Sequence, residues 1–247
     1  MALMRRLAAA LAVLVLAIIA AVAIHGNAPR PVKLGSNPVV VELFTSQGCS
    51  SCPPADALLR ELAKDPAYGR TIVPLAYHVD YWDHLGWRDP FSAKQYTIRQ
   101  MTYQKAFGLT SAYTPQAVVG GAKELVGSHG DALRKLIAEE SQKAPEGRVT
   151  IALNGGNAIV HAESPAARDL VVVAFQDGAK TEVTRGENSG MTIVNDAIVR
   201  QVTRAGAVND ATVPLPPGAN GAAAFLQDRR TLKIDAAAIT RRASSQP

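Results

Sequence analysis

Residues 39–63 read VVVELFTSQGCSSCPPADALLRELA, and the rest of the chain is organised around this stretch. The β-branched run Val39, Val40 and Val41 starts a strand. A short polar loop follows, then a Cys-x-x-Cys pair, then a helix whose apolar face carries Leu58, Leu59 and Leu62 and which Asp65-Pro66 stops. A dithiol at a strand-to-helix turn is where a redox motif is expected. Unpaired backbone N–H groups and the helix dipole favour negative charge there, so a cysteine ionises more easily than its free pKa of about 8.5. In this reading Cys49 attacks as thiolate, Cys52 resolves the mixed disulfide, and the two bridge as a Cys49–Cys52 disulfide. Pro53 and Pro54 predict an irregular first turn if the helix starts at Cys49.

Two other chemistries compete for the pair. Zinc needs four ligands, and the chain has only these 2 cysteines, so no metal is assigned. A structural disulfide is the stronger rival, because even a bridge across so short a loop pins a turn. A copper carrier using Cys49, Cys52 and His78 is the remaining alternative.

With 247 residues and 47% hydrophobic content the chain can bury a core. Its formal charge of +5 is interspersed, apart from arginines at the two ends, and no basic stripe with aromatics suggests nucleic acid. Arg5 and Arg6 precede an uncharged 18-residue run from Leu7 to Ile24. Residues 1–24 therefore read as an export signal, cleaved after Ala21-Val22-Ala23 or retained as an anchor, which would be the only contact with a membrane. The expected location is periplasmic, secreted or on the outer face of the inner membrane, where a disulfide persists. Residues 25–37, with Pro29, Pro31 and Gly35, read as a linker.

Glu42 interrupts the first strand, either facing solvent or serving as proton acceptor beneath the dithiol. Thr71 to Val79 is a second strand, ending in DYWDHLGWRDPF. This loop holds both tryptophans, Trp82 and Trp87, which with His78 are candidate substrate contacts or, alternatively, a cover for the sheet edge. His78, Asp80 and His84 match no familiar metal spacing. Ser92 with Gln95 suggests a capping box for a helix buried on Tyr96, Tyr103 and Phe107. Thr114-Pro115 stands before a short apolar strand, a position that admits a cis bond. A turn at Gly120-Gly121, a second short strand and a helix opened by Ser128 and Asp131 follow.

The order strand, Cys-x-x-Cys helix, strand, helix, Thr-Pro, hairpin, helix resembles the thioredoxin fold over roughly residues 39–143. That resemblance implies that the Thr114-Pro115 loop packs on the cysteines and pairs with an incoming peptide. Ser50-Ser51 departs from the Gly-Pro of thioredoxin, Gly48 from its tryptophan, and Glu42 matches its buried aspartate only if one residue is looped out. FTSQGCSSCPPAD, HVDYWDHLGWRDPF, YTPQAVVGG and RGENSGMTIVNDAIVR together resemble an exported bacterial family, domain of unknown function 1223. The resemblance implies a secreted thioredoxin-like protein with a β-rich second half and no assigned reaction.

After Arg148 helical periodicity stops. NGGN and QDGA punctuate two expected hairpins, and further strands fit residues 192–202, 222–226 and 231–234. RGENSG, with Arg185, Glu187 and Asn188, reads as a turn or as a segment reaching the dithiol. The expected architecture is an α/β thioredoxin-like domain (38–145), then a small all-β, sandwich-like domain (146–240) and a tail (241–247). The expected function is an exported thiol–disulfide oxidoreductase acting on a protein or small-thiol disulfide without a cofactor. The alternative is a non-catalytic exported binding module whose disulfide is permanent.

Overall fold

The apolar run at 39–45 forms β1 (Val39–Thr45), buried at every position. Such a run without alternation belongs to a strand covered on both faces, and β2 (Ile72–His78) pairs with it in parallel, Thr45 beside His78. The computed structural model describes residues 34–242 apart from 36, 69, 70 and 208. The expected export segment, nearly all of the linker and tail residues 243–247 lie outside the described residues. Among those described, no helix is long and apolar enough to cross a membrane.

Between β1 and β2 lies α1 (Pro53–Lys64). A 3-10 turn at Asp83–Leu85 leads to α2 (Lys94–Ala106), the hairpin β3 (Gln116–Val119) and β4 (Lys123–Val126), and α3 (Gly130–Ser141). Among the described residues nine strands follow: β5 (Arg148–Asn154), β6 (Asn157–Glu163), β7 (Asp169–Gln176), β8 (Ala179–Glu182), β9 (Thr192–Asn195), β10 (Ile198–Gly206), β11 (Asp210–Pro214), β12 (Gly221–Gln227) and β13 (Ile234–Arg241).

The expectation of a thioredoxin-like α/β domain followed by a separate β-sandwich is overturned. One mixed sheet of 8 strands runs β13-β12-β7-β10-β2-β1-β3-β4, so strands from both halves of the sequence share a single ladder. Strands from before and after residue 145 lie in that sheet. The join is β10 against β2, where Ile198 pairs with Ala76 and the Ala76 N–H donates to the Ala197 carbonyl at 2.8 Å. Ala197 adopts φ 56°, a left-handed conformation unusual for a residue with a Cβ, and its own N–H is held by Asp177 at 2.7 Å. One apolar cluster, from Val40 and Phe44 through Tyr77 to Val173 and Phe225, spans the join on the α2 face. On the other face α1 and α3 pack over Val41 and Leu43, while a three-stranded sheet, β11-β6-β5, covers β7, β12 and β13. Among the described residues the chain is largely β, with three α-helices.

Local expectations fail for identifiable reasons. QDGA does not close a hairpin, because β7 is taken up by β10 and β12 and β8 pairs with β9. The single strand expected over 192–202 is broken by Asp196-Ala197 so that β9 and β10 serve different sheets. Ser92 donates to Asp83 at 2.7 Å instead of capping α2, which starts after Ala93. β7 (DLVVVAFQ) and β12 (GAAAFLQ), buried end to end apart from Gln176, carry the sequence signature of central strands and not of sandwich strands.

Candidate functional site: a clamped disulfide

Cys49 and Cys52 form a disulfide at the carboxyl end of β1. Helix α1 starts at Pro53 and not at Cys49, so the first turn is regular: both prolines occupy opening positions where no intrahelical N–H partner exists. The consequence is electrostatic. Pro53 and Pro54 remove two of the unpaired N–H groups that a helix N-terminus would otherwise turn toward a thiolate.

Other donors reach the sulfur. Trp82 Nε1 donates to Thr114 Oγ1 at 2.9 Å, and that hydroxyl donates to Cys49 Sγ at 3.3 Å. Ser51 Oγ also lies 3.3 Å from Cys49 Sγ. The Thr114–Pro115 bond is cis, and Pro115 is buried. Trp87 Nε1 donates to Gln47 Oε1 at 3.3 Å, so both indoles brace the loop that carries the cysteines.

The 185–190 segment does more than turn. Asn188 Nδ2 donates to the carbonyls of Gln47 and Cys49 at 2.9 and 3.0 Å, and Glu187 Oε2 accepts from the Ser50 N–H at 3.0 Å. Ser50's hydroxyl and N–H hold the Glu187 carboxyl below the ordinary carboxylate range. Arg185 makes no described contact with the pair. Ser50 and Ser51 are exposed, yet both cysteines are 0% exposed. The disulfide is sealed.

Beneath it sits a charged group that sequence reasoning did not single out. Thr45 and His78 are register partners on one face of β1 and β2, and Asp56 comes down on them from α1. Thr45 Oγ1 donates to Asp56 Oδ2 at 3.1 Å, while His78 Nδ1 and Asp89 Oδ2 are 2.7 Å apart, both side chains fully buried. Asp89 Oδ2 also accepts from the Gln47 N–H at 2.8 Å, tying this pair to the cysteine loop. Burial opposes charge on His78, but Asp89 and then Asp56 outweigh it and raise its pKa. Burial likewise pushes Asp89 up, but His78 and the Gln47 and Phe91 N–H groups bring it below its usual value, so the two form an ion pair. Asp56 is pushed up from 3.8 to about 7, burial outweighing His78, the Thr45 hydroxyl and Arg60, with Asp89 adding to the rise. The available signal was an acidic residue one turn after Cys52, at a position of the helix shared with the buried Cys52.

Two candidates move. Glu42 is not beneath the dithiol: strand alternation turns it to the opposite face, where it pairs with Arg99. His78 is buried, its Nδ1 paired with Asp89. Asp80 accepts from Thr97 and His84 is exposed, and among the described residues no three His, Cys, Asp or Glu side chains converge on a metal-sized site.

Asp56 has a measurable cost. Between pH 3.8 and about 7 the folded chain keeps a proton that the unfolded chain has released, so stability falls as pH rises through that window. About three pKa units correspond to about 4 kcal/mol, and partial exposure of the side chain reduces the expected cost to about 2 kcal/mol. Asp56→Asn is therefore expected to stabilise the protein by about 2 kcal/mol at pH 8 and to have little effect near pH 4. Urea denaturation at the two pH values checks this; equal effects at both would mean the carboxylate is not destabilised.

Fold and site together define a largely β protein on one mixed sheet, with a clamped disulfide at the carboxyl ends of two parallel strands. The chain belongs to the family described as protein of unknown function DUF1223, which it matches over residues 40–230. No curated protein matches it. Among solved structures it is similar to a crystal structure of an Agrobacterium tumefaciens protein, at 29% identity and a TM-score of 0.70, covering 87% of this chain and 98% of that one. It also resembles HBP35 of Porphyromonas gingivalis at 14% identity and a TM-score of 0.61, covering 86% of this chain and 77% of that one, a likeness of fold alone.

Proposed function

We propose that this protein is an exported thiol–disulfide oxidoreductase, with Cys49 as the exchanging sulfur and Cys52 as its resolving partner. The observation that carries the reading is the oriented donor chain from Trp82 N–H through the Thr114 hydroxyl to Cys49 Sγ. Donors aimed at one sulfur stabilise a thiolate there, whereas a purely structural bridge needs none. The Thr114–Pro115 loop positions a protein or small-thiol disulfide beside Cys49. Turnover requires the buried sulfurs to become accessible, and release of the Glu187–Asn188 contacts would free the backbone of the loop that carries Cys49. The uncharged run from Leu7 to Ile24 supports export to an oxidising compartment.

Full burial of both cysteines favours a second reading, a binding module with a permanent disulfide. One experiment separates the two. Cys52→Ser, expressed as the full chain, is expected to accumulate mixed disulfides on Cys49 that a reductant releases, and Cys49→Ser to accumulate none. Absence of any adduct, with a reduction potential below about −300 mV in glutathione buffers, would leave only the structural bridge.

A further inference from the structure

Resting on the oxidoreductase reading, we propose that residues 179–195 form a latch on the site: docked, this arm holds the cysteine loop in its sealed conformation, and undocked, it frees the loop to present the bridge. Among the described residues β8 and β9 pair only with each other, as a two-stranded sheet apart from the 8-stranded one. The arm leaves the main sheet after β7 through Asp177-Gly178 and rejoins it at β10 through Asp196-Ala197. At this neck the Gly178 N–H donates to Asp196 at 2.6 Å and the Ala197 N–H to Asp177 at 2.7 Å. Gly178 has φ 77°, and no atom beyond its chain neighbours lies within 4 Å of the position a Cβ would take, so nothing packs against the pivot.

The contacts that dock the arm are largely polar. At its tip Asn188, only 3% exposed, donates from Nδ2 to the Gln47 and Cys49 carbonyls, and Glu187 accepts from the Ser50 N–H. Three backbone groups of the 47–50 turn are thus fixed by the arm. Both sulfurs are fully buried, so the bridge meets a thiol only when that turn shifts. Nearer the neck, Gln47 Nε2 donates to Asn195 Oδ1 at 2.9 Å and Arg60 Nη1 to the Val194 carbonyl at 3.0 Å.

The arm shares little apolar surface with the rest of the fold. Its buried apolar side chains, Ala179, Val183 and Ile193, join none of the three clusters that form the core. Its seam with α1 holds a cavity of about 180 Å³, with Ala57 and Arg60 on one side and Thr192 and Val194 on the other. An element secured by a few hydrogen bonds opens at far lower cost than the sheet behind it. The tip meanwhile keeps its own shape: the Val183 N–H donates to the Met191 carbonyl at 2.9 Å and the Gly190 N–H to the Val183 carbonyl at 2.8 Å, closing the 184–190 loop on itself. The arm therefore undocks as one piece.

The test times reduction of the bridge in the full chain by dithiothreitol, which closes to its own ring disulfide as Cys49 and Cys52 become thiols. These are trapped with iodoacetamide under denaturing conditions and counted by mass spectrometry. Asn188→Ala is expected to speed reduction by about 10-fold, because two hydrogen bonds to the turn are lost. Asn188→Asp keeps the shape but turns oxygen toward both carbonyls, and is expected to speed it further. Glu187→Ala, at an exposed position whose loss leaves folding intact, is expected to give about 2- to 3-fold. Gly120→Ala, at the far end of β3 from Pro115, is the control and is expected to stay within about 2-fold of the unsubstituted rate. In the unsubstituted chain the rate is expected to rise only weakly with urea below the unfolding transition, since undocking exposes far less surface than unfolding. Unchanged rates in the arm variants overturn the latch. So does a Gly120→Ala acceleration that matches them, or a urea dependence as steep as that of global unfolding, because either one routes reduction through the unfolded chain. The assay assumes no turnover, so these results strike the latch alone, whereas missing Cys52→Ser adducts overturn the oxidoreductase reading with these rates unchanged.

Discussion

Replacing Arg99 with methionine is expected to lower stability by about 3–5 kcal/mol, a large fraction of the roughly 5–15 kcal/mol that holds an ordinary domain folded. Arg99 is 8% exposed and Glu42 0%. The guanidinium engages the carboxylate through two nitrogens, Nε at 2.5 Å and Nη2 at 3.0 Å, and the Tyr103 hydroxyl donates to the same carboxylate. It also lies over the rings of Tyr77, Tyr103 and Phe225, at 5.4, 5.2 and 5.8 Å from their centroids. Methionine fills much of the volume but leaves a carboxylate in the core with only hydroxyl support, and desolvation of that unpaired charge dominates the loss. Glu42→Leu combined with Arg99→Met removes both charges and should recover most of the stability. Urea midpoints for the single and double variants decide the matter. A single variant that loses less than about 1 kcal/mol would show the pair to be solvated.

Gly121→Ala is expected to cost about 3 kcal/mol or more, and Gly120→Ala about 1 kcal/mol. Both glycines have positive φ, 59° at Gly120 and 64° at Gly121, so each alanine bears the same left-handed penalty. They differ in what the new methyl meets. At Gly121 it would lie 2.1 Å from the Leu232 carbonyl oxygen, in backbone that is fixed because the Ile234 N–H donates to Gly120 O at 2.9 Å. At Gly120 it would meet only the flexible end of Glu140 at 3.4 Å. Thermal or urea unfolding of the two variants separates strain from collision, and equal losses would sink the steric explanation.

The parts legible in the sequence are those whose chemistry is local. The β-branched run before Cys49, the leucine face after Cys52 and the proline after Thr114 each announce themselves within a few residues, and the structure places all three around one disulfide. Long-range pairing was not legible. Glu42 finds Arg99 57 positions away, and nothing in the spacing distinguishes that partner from solvent or a thiol. Asn188 reaches the cysteine loop across 139 positions, from a segment whose glycines and asparagine spell out an ordinary turn. The architecture failed for a related reason. NGGN does close a hairpin between β5 and β6, and that local success made the whole second half look like a small sandwich. The unbroken apolar runs of β7 and β12 argued for burial on both faces, which only a place inside the larger sheet supplies.

The seam where β10 lies against β2 dictates when this protein can fold. Until β10 is in place, β2 is an open edge offering unmet backbone donors and acceptors to any passing strand, with Val73 and Tyr77 uncovered beside it. The first 145 residues, although rich in regular structure, are thus a half-built wall, prone to recruit the wrong neighbour. The chain is therefore exposed to mispairing until β10 closes that edge.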